Sequence, residues 1–202
     1  MGKLIAFVGP SGVGKTSLVQ AISRAGQFAV AYEQHTERPF QSKAKQDKQF
    51  TLANQLDYLI FRAGQERTIR QSPLVGLLDG GLDLDFHGFA SLFRARGWLS
   101  DPEYELCGRF YELARAWLAA PELIVRLSAS EETIRVRLSS RTRVNIASAE
   151  DTALFNQFIE EWLITVPPER VVRLEVSHEP IEFPESVPVI LARLKSLRDD
   201  ST

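Results

Sequence analysis

The chain has 202 residues, 44% of them hydrophobic and 25% charged, an ordinary mix for one domain (1–202) able to bury a full core. Its formal net charge is -2, with 24 Lys and Arg spread among 26 Asp and Glu. That excludes the broad basic footprint a nucleic acid polymer demands and favours a small-molecule partner.

No apolar run approaches the ~20 residues that cross a bilayer, and the apolar stretch at the N-terminus is too short for a signal peptide. The one cysteine, Cys107, lacks a disulfide partner and reads as a buried thiol in a cytoplasmic protein.

In chain order, Leu4 to Val8 is a continuous apolar run and reads as a buried strand. It feeds Gly9-Pro10-Ser11-Gly12-Val13-Gly14-Lys15-Thr16-Ser17, which satisfies G-x-x-x-x-G-K-[ST] between a strand and a helix, the context this motif requires. Glycines let the loop curl so that successive N–H groups point inward, and the helix N-terminus adds its positive end. Lys15 supplies a mobile cation for the β and γ phosphates of ATP, and Thr16 a hydroxyl ligand for Mg²⁺. The helix runs from Thr16 to Ala25, before Gly26.

A second strand is expected over Phe28 to Tyr32, closed by Glu33. In a parallel sheet that strand end faces the ligand crevice, where a carboxylate can take the proton of an attacking hydroxyl; the alternative is an ordinary surface acid. Residues 47–71 carry Phe50, Ala53, Leu56, Leu59, Ile60 and Ala63 at helical spacing and predict one long helix with that stripe toward the core.

Leu74 to Leu78 is the third strand, and Asp79 at its end is the candidate second metal ligand. Asp83 and Asp85, past Gly80-Gly81, read as solvated loop acids or as ligands of sugar hydroxyls or metal. Pro102 to Leu118 forms a helix after the cap signal Ser100-Asp101-Pro102. Leu123 to Leu127 is the fourth strand, followed by a helix over Glu131 to Ser139.

Arg137 and Arg141 share one helical face and Arg143 follows in the turn. Three guanidinium groups there suit a lid over a transferring phosphoryl, or else a solvated cationic face opposite Glu131 and Glu132. Helices at 151–164 and 185–197 flank the last strand, Val171 to Val176. Trp98, Trp117 and Trp162 read as core or helix-interface residues. The sum is a three-layer α/β/α sandwich on a five-stranded parallel sheet, with an Arg-rich lid at about 137–150.

Taken together, the loop, Glu33 to Phe40, Gln55 to Arg62, Gly97 to Ser100, Pro121 to Thr133 and the Arg137-x-x-x-Arg141-x-Arg143 pattern resemble the deoxynucleoside kinase family, within the thymidylate-kinase-like P-loop kinases. The resemblance covers most of residues 3–165. It implies phosphorylation of a deoxynucleoside 5′ hydroxyl by ATP and Mg²⁺, with Glu33 as general base, Arg137, Arg141 and Arg143 as the lid, Asp79 as the acid of an acid-Arg dipeptide, and a homodimer.

The chain departs from the pattern on the acceptor side. Gly80 stands where the family has Arg, Ala53 aligns with its base-reading glutamine, and Asn145-Ile146 replace a sugar-binding Glu, with Glu150 the nearest substitute. Two other functions therefore stand beside the first. One is a nucleotide-binding protein without transfer activity. The other is a nucleoside monophosphate kinase drawing on Arg62, Arg67 and Arg70, which otherwise form an exposed basic stripe.

Overall fold

The computed structural model describes residues 2–32, 37–139 and 151–199. The elements run β1 (Leu4–Val8), α1 (Lys15–Arg24), β2 (Ala29–Ala31), α2 (Gln41–Gln46), α3 (Thr51–Ile69), β3 (Gly76–Asp79), a π-helix (Leu84–Ala90), α4 (Ser91–Ala95), α5 (Asp101–Trp117), β4 (Leu123–Ser128), α6 (Glu131–Ser139), α7 (Thr152–Leu163), β5 (Val171–Glu175) and α8 (Ser186–Asp199).

All five expected strands form, and they pair in parallel in the order β2-β3-β1-β4-β5. β1 lies at the centre, with Phe7 opposite Asp79 on one side and Val125 on the other. That register sets the glycine loop, which leaves β1, beside the carboxylate that ends β3.

Alternation along β1 shows why the sheet needs two cover layers. Ile5 and Phe7 pack with Leu18, Val19 and Ile22 of α1 and with Ile190 and Leu194 of α8. Ala6 and Val8 point the other way, into a core with Leu59 of α3, Cys107 and Ala114 of α5, and Phe155 and Ile159 of α7. Cys107 is fully buried, and burial pushes its thiol up to about 11. α5 starts where the cap signal placed it, with the Glu103 carboxylate accepting from the Ser100 N–H at 2.7 Å and its hydroxyl at 2.6 Å.

Three features differ from the sequence expectation. α2, the π-helix and α4 are additional elements. α3 also buries the predicted stripe only in part: Leu59 is buried and Leu56 and Ala63 pack against the core, but Ile60 is 58% exposed, and the polar Thr51, Asn54, Gln55, Arg62 and Glu66 are buried as well. Trp117, expected in the core or an interface, is 78% exposed.

Candidate active site

The glycine loop takes the shape its motif predicts. Gly9, Gly12 and Gly14 adopt φ of 151°, 85° and 111°, and a β-carbon on Gly9 would stand 2.6 Å from the Leu127 carbonyl. Only glycine accommodates both demands. No side chain caps the N-terminus of α1 at Gly14, which leaves its positive end turned to the loop. Lys15 Nζ lies across the loop, donating to the carbonyls of Gly9 at 2.9 Å and Pro10 at 3.0 Å. Thr16 Oγ1 donates to Asp79 Oδ2 at 2.5 Å. Asp79 is fully buried, and its Oδ1 has no hydrogen-bond partner among the described residues.

Arginines brace the loop from behind. Arg137 Nη1 donates to Val13 O at 2.7 Å and Nη2 to Val176 O at 3.1 Å, which ties the loop to the end of β5. Arg126, buried on β4, reaches Glu160 at 3.0 Å and Asn156 at 2.8 Å on α7, and also bonds Leu127 O. Its guanidinium would lie 3.2 Å from a β-carbon on Gly9. Burial pulls the Arg126 guanidinium below its ordinary value, an effect that Glu160 opposes. The expected lid partners Arg141 and Arg143, the candidate base Glu33, and Asn145, Ile146 and Glu150 lie outside the described residues.

The turn after β3 is held by buried ions, among them the two acids that the sequence offers as solvated loop groups or as ligands of sugar hydroxyls or metal. Asp83 and Asp85 are buried. Arg62 Nε donates to Asp85 Oδ2 at 2.8 Å and its Nη1 to the Asp79 carbonyl at 3.0 Å. Gln55 Nε2 donates to the Asp85 carbonyl at 2.6 Å. The buried glutamine of α3 is thus Gln55, two residues past the position that sequence alignment suggests.

Arg115 of α5 grips Glu66 with both Nη atoms, at 2.7 and 3.0 Å, and Asp83 with Nε at 2.9 Å. The Leu82 N–H donates to the same Glu66 carboxylate at 3.1 Å. Burial pushes the Glu66 carboxyl up while the two acids hold Arg115 charged. Tyr111 donates to Asp83 at 2.8 Å and lies 3.1 Å from His87 Nε2. His87 stacks on Trp162 with ring centroids 5.2 Å apart, and burial pulls it down to about 4.

Arg70 is likewise buried, donating to Gly2 O, Glu122, Ala119 O and Ala120 O. Arg62 and Arg70 are therefore neither an exposed stripe nor a pair of cations waiting for an acceptor phosphate. Arg67 alone of the three is exposed. On the rim, Arg38 pairs with Asp57, through Nη2 at 2.7 Å and through Nε, and lies 4.5 Å from the Phe61 ring. That contact fastens the segment beyond residue 37 to α3. No group of His, Cys, Asp and Glu among the described residues forms a metal-binding cluster, and no described helix is long and apolar enough to cross a membrane.

Three comparisons bear on this geometry. A sequence search of curated proteins returns no match. Among solved structures, the chain is similar to deoxyadenosine kinase from M. mycoides bound to the products dCMP and a flexible dCDP, with TM-score 0.80 and 20% identity over 96% of this chain and 99% of that one. The same enzyme with bound dCTP gives 0.77 at 20% identity over 96% and 99%, and with bound dATP 0.76 at 19% over 95% and 99%. At that identity the likeness is one of fold. A family model described as deoxynucleoside kinase matches residues 5–197, which takes in the glycine loop, the α3 ion pairs and α8 alike. By that match, the chain belongs to the deoxynucleoside kinase family.

Proposed function

We propose that this chain transfers the γ-phosphoryl group of ATP to the 5′ hydroxyl of a deoxynucleoside, with donor and acceptor held in one domain (1–202). The observation that carries the reading is the grouping at the loop mouth, where Lys15, Thr16 and Asp79 converge and a fully buried Asp79 keeps one oxygen unpaired. A buried carboxylate oxygen is rarely left without a partner. The Thr16 hydroxyl and Asp79 carboxylate are hard oxygen donors and fit Mg²⁺, which keeps several waters and takes only one or two protein ligands. When bound, the metal would neutralise charge on the β and γ phosphates.

In this reading Gly9 to Ser17 cradle the triphosphate through backbone N–H groups. Lys15 trades its carbonyl partners for phosphate oxygens. Glu33 follows Tyr32, whose carbonyl accepts from Gln65 Nε2 at 2.8 Å, and takes the proton of the attacking hydroxyl. Arg141 and Arg143 close over the transferring group, while Arg137 keeps the loop tied to the end of β5. The acceptor lies along the polar face of α3, opposite Asp85. The enzyme works in the cytoplasm as a homodimer joined through the outward stripe of α5.

The test is a coupled ADP-release assay against deoxynucleosides, ribonucleosides and nucleoside monophosphates. Turnover is expected with deoxynucleosides and not with monophosphates. Absence of acceptor-dependent turnover across the panel refutes the reading.

A further inference from the structure

β4 lies between β1 and β5, and every residue of it except Ser128 is buried. Leu123, Ile124, Val125 and Leu127 are the apolar residues such a strand calls for; Arg126, 4% exposed, is not. A guanidinium there carries a desolvation cost that methionine or leucine would not incur. Packing alone does not account for it.

Its position does. Arg126 is the register partner of Val8, the residue before Gly9. Its Nη1 would lie 3.2 Å from a β-carbon on Gly9, and the Leu127 carbonyl to which it donates would lie 2.6 Å from the same atom. The guanidinium and that carbonyl thus form part of the wall against which Gly9 turns at φ of 151°.

The guanidinium is itself aimed from α7. Nε donates to Glu160 Oε1 at 3.0 Å and Nη2 to Asn156 Oδ1 at 2.8 Å, from two residues one helical turn apart. With all three nitrogens engaged, the planar fork has one orientation. Glu160 is shared, since its other oxygen accepts from Arg173 of β5 at 2.5 Å. Removing Arg126 therefore leaves Glu160 paired and strands no buried charge.

We propose that Arg126 is a positioning residue for the phosphate donor: it clamps the first turn of the glycine loop to α7, so that the loop holds its binding shape before ATP arrives. The inference rests on the reading of Gly9 to Ser17 as the ATP site and adds to it a side chain outside that motif. Arg126 does not touch the phosphates; it acts through Gly9 and the Leu127 carbonyl. A loop already in shape avoids the ordering cost of association. Misplacing such a site by about 1 Å weakens function by up to roughly 10²-fold.

The experiment uses the wild-type chain, Arg126→Met, Arg126→Lys and Asn156→Ala. Titration calorimetry gives the affinity for ATP with Mg²⁺, a melt without ligand gives stability, and the ADP-release assay gives KM for the deoxynucleoside turned over fastest. Arg126→Met should melt within about 4 °C of the wild type, because Glu160 keeps Arg173. It should nevertheless bind ATP roughly 10- to 100-fold more weakly, with the deoxynucleoside KM changed by less than about threefold. Arg126→Lys keeps the charge, but a compact ammonium does not reproduce the fork, so it should bind ATP no better than Arg126→Met. Asn156→Ala removes one anchor without changing charge and should weaken ATP by roughly threefold or more. It decides the inference if neither Arg126 variant melts cooperatively.

An ATP affinity within about twofold of the wild type in Arg126→Met overturns the inference and leaves the kinase reading intact. So does wild-type affinity in Arg126→Lys, or a deoxynucleoside KM that rises as much as the ATP dissociation constant. A wild type that turns over no deoxynucleoside defeats the kinase reading, and the ATP affinities then decide the inference by themselves. A wild type that binds no ATP overturns both.

Discussion

A β-carbon on Gly80 would stand 3.0 Å from Nη2 of Arg62, whose guanidinium is fixed by Asp85, Gln65 and the Asp79 carbonyl. The space that a side chain at position 80 would enter is held by an arginine from α3. Gly80 also adopts φ of 90°, which L side chains rarely take. The glycine that breaks the acid-Arg pattern of the family is thus required by its surroundings.

Gly80→Ala should accordingly destabilise the fold by about 1–3 kcal/mol from backbone strain, with a further loss as Arg62 shifts off Asp85. Urea unfolding checks this as a lowered midpoint. Gly80→Arg, which restores the family dipeptide, should not raise activity, because the new side chain meets a site already filled with positive charge. A gain in kcat would contradict this account.

Lys15→Met and Asp79→Asn should separate function from stability. Each is expected to lower kcat by roughly 10²–10³ or more, the scale of losing a charge-stabilising group. Lys15→Met should also lose the rise in melting temperature produced by ATP. Asp79→Asn is predicted to melt at or above the wild-type temperature. It removes a charge from a fully buried carboxylate with one unpaired oxygen, and Oδ1 can still accept from Thr16. Differential scanning calorimetry without ligand reads that sign directly.

Arg115 joins two buried acids across 49 and 32 residues of sequence, Glu66 and Asp83. Arg115→Met leaves both acids uncompensated and should cost about 3–5 kcal/mol. Replacing one acid relieves part of that loss, so Arg115→Met combined with Glu66→Gln should be more stable than Arg115→Met alone. Equal stability of the single and double variants in a denaturant titration would show that the pair is not coupled.

His87 gives the fold a pH dependence of known sign. Burial pulls its folded value down to about 4 from the ordinary 6.5, so below pH 6.5 the unfolded chain binds the proton that the folded chain refuses. Its contribution is fully present above pH 6.5 and is lost as pH falls from 6.5 to 4, by at most about 3 kcal/mol. His87→Gln should flatten the difference in unfolding free energy between pH 7.5 and pH 4.5. An unchanged slope would mean that the ring beside Tyr111 and Trp162 titrates normally.

Why these groups were misread from sequence follows from the same contacts. The five strands and the glycine loop were legible because their signals are local: continuous apolar runs for strands buried on both faces, and a fixed spacing between strand and helix for the loop. α3 was legible as a helix, but its facing only in part: Leu56, Leu59 and Ala63 meet the core and Ile60 does not. Counting Ala53, Leu56, Leu59, Ile60 and Ala63 as the inward stripe assumes that inside means apolar. Here the inward stripe carries Gln55, Arg62 and Glu66, made tolerable by partners 30, 23 and 49 residues away. Only the sheet order brings those partners together. For the same reason Asp83 and Asp85, in a glycine-led turn, looked solvated.

The exposed apolar residues of α5 set the last prediction. Leu106, Leu113 and Trp117 lie at i, i+7 and i+11, on one outward stripe of the helix, with Leu113 54% and Trp117 78% exposed. α5 packs beside α3, whose Ile60 is exposed as well. Aromatic and leucine side chains clustered outward on a helix pair are what an interface between two copies uses, since burying each large side chain stabilises association by about 1.5–3 kcal/mol. The chain is therefore expected to sediment at twice its 22.7 kDa mass. Trp117→Glu places a charge on the largest and most exposed side chain of that stripe and should yield a monomer with an unchanged far-ultraviolet circular dichroism spectrum. Arg115, two residues before Trp117, grips the acids behind the Asp79 turn, so the monomer should also lose activity through α5. A wild type that sediments at 22.7 kDa across micromolar concentrations would refute the dimer, and a monomeric Trp117→Glu with full kcat would show that α5 does not couple the interface to the site.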